Sequence, residues 1–105
     1  MDFEKSAQRL GLDIEEYVEL IELFLETGTN DLNGLEDAGA AKDIQAVIER
    51  SHSLKGASGN LGLTEIFEKA KDIENRARNS SLEGLDDSVM EIKQYFNEIV
   101  TMLGD

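Results

Sequence analysis

The only histidine among the 105 residues is His52, and it opens the run His52-Ser53-Leu54-Lys55-Gly56-Ala57-Ser58-Gly59-Asn60-Leu61-Gly62. A neutral imidazole nitrogen is a nucleophile, and histidine changes charge near physiological pH. Lys55, three residues on, can neutralise an anion delivered to that nitrogen. On a helix turning about 100° per residue, Lys55 and Gly56 lie one turn beyond His52, and Gly59 returns close to its angular position two turns along. The imidazole then stands on a strip with almost no side chains, open to another protein's active site. The anion that suits this arrangement is a phosphoryl group. Gly56, Gly59 and Gly62 fall within seven residues, and each costs roughly 1 kcal/mol relative to Ala in a helix interior. That cost points to close approach by a backbone, a side chain or a partner. Helix termination or helix–helix packing explains Gly59 and Gly62 equally well.

The elements that position this strip are helical. The chain has no proline, no tryptophan and 6% aromatic residues, and it is rich in Glu, Leu, Ile and Ala, which favours an all-α chain. Its length suits a single domain over residues 1–105. Asp2 can cap a short first helix over 2–10 carrying Phe3, Ala7 and Leu10, and Gly11 stops it. Asp13 can cap a long second helix, with Glu15 and Glu16 at its positive end. Tyr17, Leu20, Ile21, Phe24, Leu25, Leu32 and Leu35 recur there at helical spacing. Gly28 and Gly34 weaken this helix, which is expected to end near Gly39.

A third helix is expected from about Ala41–Asp43. Ile44, Val47, Ile48, Ser51, Leu54, Ser58 and Leu61 form its buried stripe. Taking Ile44 as 0°, the stripe reaches about 40°, whereas His52 falls at about 80° and Gly56 at about 120°, so His52 sits at the edge and faces outward. Thr64 is the expected cap of a fourth helix burying Ile66, Phe67, Ala70, Ile73 and Ala77, with Arg76 and Arg78 at its negative end. In the last segment Leu82, Leu85, Val89, Ile92, Phe96, Ile99 and Leu103 form a heptad seam. Leu82 and Leu85 are expected to precede the helix proper. Beside other amphipathic segments this seam belongs inside a bundle, which leaves the chain a monomer. The expected architecture is an antiparallel up-down four-helix bundle with a short additional N-terminal helix.

The formal net charge is −13, a surface that repels nucleic acid and anionic lipid and sets both aside as partners. Without cysteine there is no disulfide, thiol nucleophile or thiolate metal site, and one histidine cannot build a His-rich zinc site. No apolar run approaches the ~20 residues of a membrane span, and the N-terminus is not a signal peptide. The chain reads as cytoplasmic, free-standing or part of a larger protein.

His52-x-x-Lys55-Gly56, with Gly62 after five further residues, closely resembles the signature of the histidine phosphotransfer (HPt) domain family. The resemblance implies a four-helix bundle whose histidine accepts a phosphoryl group at Nε2 from a receiver aspartyl phosphate, or from a histidine kinase, and relays it to another response-regulator receiver. It also implies that the short first helix lies across the bundle end near the histidine. Lys55 would stabilise the phosphorylated state, Gly56 would meet the partner, and Leu10, Leu12 and Leu63 would supply apolar docking contacts. Family members often hold Nδ1 with a Gln twenty-two residues after the histidine. Glu74 stands there, and a carboxylate favours imidazolium more than an amide does. An exposed helix glutamate is the alternative reading of Glu74. Lys71 and Arg78, a turn either side, would add positive potential nearby.

The chain has no nucleotide-binding glycine loop. It therefore reads as a phosphoryl carrier with no cofactor of its own, and the resemblance places Mg²⁺ on the partner receiver. Two other readings compete. One is an interaction module that binds a receiver or kinase without chemistry. The other is an acyl-carrier-like protein using Ser88 in Asp86-Asp87-Ser88-Val89, although too little chain follows Ser88 for the helices such a carrier needs.

Overall fold

A computed structural model describes residues 2–104; Met1 and Asp105, the ends of the expected domain span, lie outside the described residues. Five helices and no strand occur among them: α1 (Phe3–Arg9), α2 (Ile14–Ala40), α3 (Ile44–Asn60), α4 (Thr64–Arg78) and α5 (Leu85–Gly104). Helix starts follow side-chain capping where the sequence offers it. Asp2 accepts from the Lys5 N–H, and Asp43 from the Ala46 N–H. Asp13 and Glu16 close a reciprocal capping box at the start of α2, which satisfies two otherwise orphaned donors.

Thr64 departs from its expected role. The N-cap of α4 is Leu63, no side chain caps the helix, and Thr64 is its first residue. Two local facts account for this. Gly62 has φ +74°, a left-handed conformation that suits glycine and ends α3. Leu63 then turns inward to 3% exposure, so burial of its side chain decides where α4 begins.

Packing is cyclic. Helix α2 lies against α3 and α5, α4 lies against α3 and α5, and α1 lies on α2. Tyr17, Ile21, Leu35, Val47, Leu54, Ile66, Ala70 and Ile92 fill the core. The Tyr17 hydroxyl donates to the Leu61 carbonyl at 2.6 Å, tying the start of α2 to the end of α3. The buried hydroxyls of Ser51 and Ser58 donate to the carbonyls of Val47 and Leu54, which lets polar residues stand in the α3 stripe without orphaned groups. Leu20, expected in the buried stripe of α2, is 40% exposed.

Helix α2 runs without a break through Gly28 and Gly34. They are notches. The Arg50 side chain lies over Gly34, and the Phe96 ring lies over Gly28 while also packing on Phe24, with ring centroids 5.3 Å apart. A Cβ at Gly28 would meet Phe96 Cζ at 2.7 Å. Overpacking of this kind costs about 1–3 kcal/mol, against a helix-propensity gain of about 1 kcal/mol. Gly28→Ala is therefore expected to lower the urea midpoint of unfolding. An unchanged or higher midpoint would show that Phe96 moves aside without loss.

Candidate functional site

Helices α3 and α4 make the site together. On α3, the stripe Val47, Ser51, Leu54 and Ser58 is buried, and this fixes the rotation of the helix. His52 is thereby turned to the flank facing α4, with its side chain 64% exposed. On α4, Ile66, Ala70, Ile73 and Ala77 face the core. Glu74 follows Ile73 at the edge of that face and is buried, at 3% exposure.

A buried carboxylate is costly unless it is paired and hydrogen-bonded. Glu74 has three partners. Lys55 Nζ lies 2.8 Å from Oε1. Arg78 reaches Oε2 twice, with Nε at 2.9 Å and a terminal nitrogen at 2.7 Å. His52 Nδ1 lies 3.4 Å from Oε1 and 3.3 Å from Oε2. Burial pushes the Glu74 carboxyl up, but hydrogen bonds from Lys55, Arg78 and His52 outweigh it and hold its pKa at about 2. Glu74 is therefore an anion at any ordinary pH, and an anion is an acceptor only. It selects the tautomer of His52 that carries a proton on Nδ1, leaving the lone pair on Nε2. Nε2 makes no hydrogen bond among the described residues, and the His52 side chain is largely exposed.

The surface next to the ring is bare. Gly56 is exposed, and a Cβ built on it meets nothing within 4 Å. Gly59 instead accommodates the Phe67 ring, which lies 3.3 Å from where its Cβ would be. On the other flank of α3, Asp31 of α2, only 9% exposed, accepts from the Ser53 hydroxyl at 2.9 Å and pairs with Arg50 at 3.3 Å. These two contacts lock α3 to α2 beside the histidine. No group of three or more His, Cys, Asp or Glu side chains that could hold a metal occurs among the described residues.

The family model of the Hpt domain matches residues 19–102, which include the whole α3–α4 pair. The chain belongs to the Hpt domain family. Its fold is similar to the crystal structure of histidine-containing phosphotransfer protein B (HptB) from Pseudomonas aeruginosa PAO1, with a TM-score of 0.82 at 28% identity, covering 98% of this chain and 89% of that one. In sequence it is similar to the phosphorelay intermediate protein rdeA of Dictyostelium discoideum, 26% identical over 87 residues. That match takes in 83% of this chain but only 34% of rdeA, so the chain spans about a third of that relative's length.

Within this Hpt domain, His52, Lys55 and Arg78 meet at the buried Glu74 carboxylate, and Gly56 is exposed one helical turn beyond His52. Lys71, one turn before Glu74 on α4, is exposed and enters none of the ion pairs among the described residues. Leu63 does not belong to an apolar docking patch, because it is buried in the core. Leu10 is 43% exposed and Leu12 half-buried, and the other exposed large apolar side chains among the described residues are Ile14, Leu20 and Leu23 of α2 and Met90 and Val100 of α5. The bidentate grip of Arg78 on Glu74 is the feature that sequence reasoning reached least well. Its signal was the four-residue spacing of opposite charges on one helix. No helix among the described residues is long and apolar enough to cross a membrane.

Gly56 yields a prediction that separates folding from partner contact. It lies inside α3 with open space around it, so Gly56→Ala is expected to stabilise the fold by about 0.5–1 kcal/mol. Gly56→Arg is expected to keep the fold and the reaction with a small phosphoramidate donor while slowing transfer from a protein donor. Equal rates from the protein donor for wild type and Gly56→Arg would place the docking surface elsewhere.

Proposed function

We propose that this Hpt domain is a phosphoryl carrier whose acceptor atom is His52 Nε2. A receiver aspartyl phosphate, or a histidine kinase, is the donor, and another response-regulator receiver is the acceptor. The observation that carries this reading is the contact of His52 Nδ1 with the buried carboxylate of Glu74, which leaves Nε2 as the nucleophilic nitrogen on an accessible surface. The domain is taken to be one unit over residues 1–105. The cyclic packing of α2, α3, α4 and α5, with short connections, favours an antiparallel up-down bundle with α1 laid on α2.

In the forward step the Nε2 lone pair attacks phosphorus. The P–O bond of the donor aspartyl phosphate breaks, and its electron pair returns to the donor carboxylate. The ring keeps its proton on Nδ1 and becomes cationic, and Glu74 faces that charge. In the reverse sense an acceptor carboxylate attacks phosphorus, and the N–P pair returns to Nε2. Lys55 offsets the charge of the phosphoryl group on the ring. Charge neutralisation and in-line placement are the main demands of phosphoryl transfer. Mg²⁺ belongs to the receiver in this reading, and the carrier holds no cofactor. The expected partners are receivers and kinases, not nucleic acid or membrane, and the expected state is a monomer in the cytoplasm.

The test is intact mass after incubation with a phosphorylated receiver and Mg²⁺, and separately with phosphoramidate. One acid-labile, alkali-stable phosphoryl group is expected with either donor. Receiver binding without an adduct from any donor would move the chain to the class of non-catalytic interaction modules.

A further inference from the structure

Lys55 is already paired with Glu74 before any phosphoryl group arrives. Its ammonium group is 2.8 Å from Glu74 Oε1, with the side chain only 27% exposed. One of its three N–H donors is spent on Glu74, and a move of the ammonium group toward a phosphoryl group on Nε2 lengthens that contact. A buried carboxylate that loses a cation is left with uncompensated charge, and this normally forbids such a departure. Glu74, however, has a second cation. Arg78 grips Oε2 through two nitrogens at 2.7 and 2.9 Å, while Lys55 uses only Oε1. The two cations are on different oxygens and different helices, so one can leave without disturbing the other.

We infer that Arg78 is a positioning residue for phosphoryl transfer: it holds Glu74 paired and in place, so that Lys55 can exchange from Glu74 to the incoming phosphoryl group. The inference rests on the carrier reading above. Departure of Lys55 also frees Oε1 for His52. The present Nδ1 distances of 3.3 and 3.4 Å are longer than the usual 2.9–3.0 Å of a good N–H···O bond. An oxygen no longer shared with Lys55 is free to close on Nδ1–H as the ring becomes cationic. Arg78 thus lets one carboxylate serve a lysine before the reaction and an imidazolium after it. Its own side chain is 55% exposed, so removing it leaves no cavity in the core.

The experiment uses phosphoramidate as donor, because an exposed arginine also has the opportunity to touch a docked protein. In that reaction the donor P–N bond breaks, ammonia leaves, and the new bond forms at Nε2. Arg78→Gln is expected to slow adduct formation about fivefold, the size of coupling typical of groups sharing one ion-pair network. Arg78→Lys, which supplies one donor in place of two, is expected to fall between Arg78→Gln and wild type. In a Glu74→Gln background there is no carboxylate to compensate, and Arg78→Gln is expected to change the rate less than about twofold. Far-UV circular dichroism should be the same for all variants. An equal fold-change in both backgrounds, or no effect of Arg78→Gln in the wild-type background, overturns this inference and leaves the carrier reading standing. Absence of any adduct in the wild type overturns the carrier reading, and this inference with it.

Discussion

His52→Gln is expected to abolish phosphoryl acceptance from both a receiver and phosphoramidate, while the helical signal is unchanged and the unfolding free energy stays within about 0.5 kcal/mol of wild type, as for other exposed positions. The reasons are physical. The chain has one imidazole, so no second ring can take over. The ring is largely exposed and its polar partner among the described residues is Glu74, which keeps Lys55 and Arg78 when the histidine is gone. An amide is no substitute, because its nitrogen lone pair is delocalised and its oxygen is a poor nucleophile. A cooperative loss of structure in this variant would make His52 a folding residue. An adduct that survives the substitution would mean that the phosphoryl group is held by some other side chain.

Glu74→Ala is expected to slow acceptance by about tenfold to a hundredfold, the range commonly lost with the group that fixes an imidazole tautomer and faces its developing charge. Glu74→Gln should retain part of the rate, since its amide oxygen still accepts from Nδ1–H but does not balance the cationic ring. The same carboxylate predicts an acid limb in stability. Its pKa is about 2 in the folded chain, against the ordinary glutamate value of about 4.3 when unfolded. A depressed carboxylate contributes stability that is fully present above its unfolded pKa and is lost as pH falls through its folded pKa. Wild type should therefore lose more stability than Glu74→Gln between about pH 4.3 and 2. Parallel stability curves for the two proteins over that window would show that Lys55, Arg78 and His52 do not hold the carboxylate as their distances imply.

Most of the site was legible because it depends on local spacing. Val47, Leu54 and Ser58 fix one face of α3, and helical geometry then puts His52 at its edge and Gly56 in the open. Asp13 announced α2 through chemistry that acts over three residues. Other features depend on tertiary contacts and are not written locally. Thr64 is a good capping residue by type, yet the insertion of Leu63 into the core decides where α4 begins. Gly28 and Gly34 look like weak points along one helix and prove to be the seats of Phe96 and Arg50 from two others. Leu20 recurs at helical spacing with the α2 core residues and is exposed, because helical periodicity alone does not say how wide a face its neighbours will cover; Leu63, which the family resemblance implies at the docking surface, is buried. Glu74 was reachable by counting from His52. Its burial, and the division of its two oxygens between Lys55 and Arg78, required the structure.

The central claim is that Nε2 of His52 carries the phosphoryl group while Nδ1 stays protonated against Glu74. The most direct test is a long-range ¹H–¹⁵N correlation spectrum of the histidine ring before and after phosphorylation, with phosphorus coupling used to locate the N–P bond. Phosphorus coupling at Nε2 and a protonated Nδ1 are expected in the phosphorylated protein. Phosphorus coupling at Nδ1, or a ring unchanged while the protein gains a phosphoryl group, would contradict that claim.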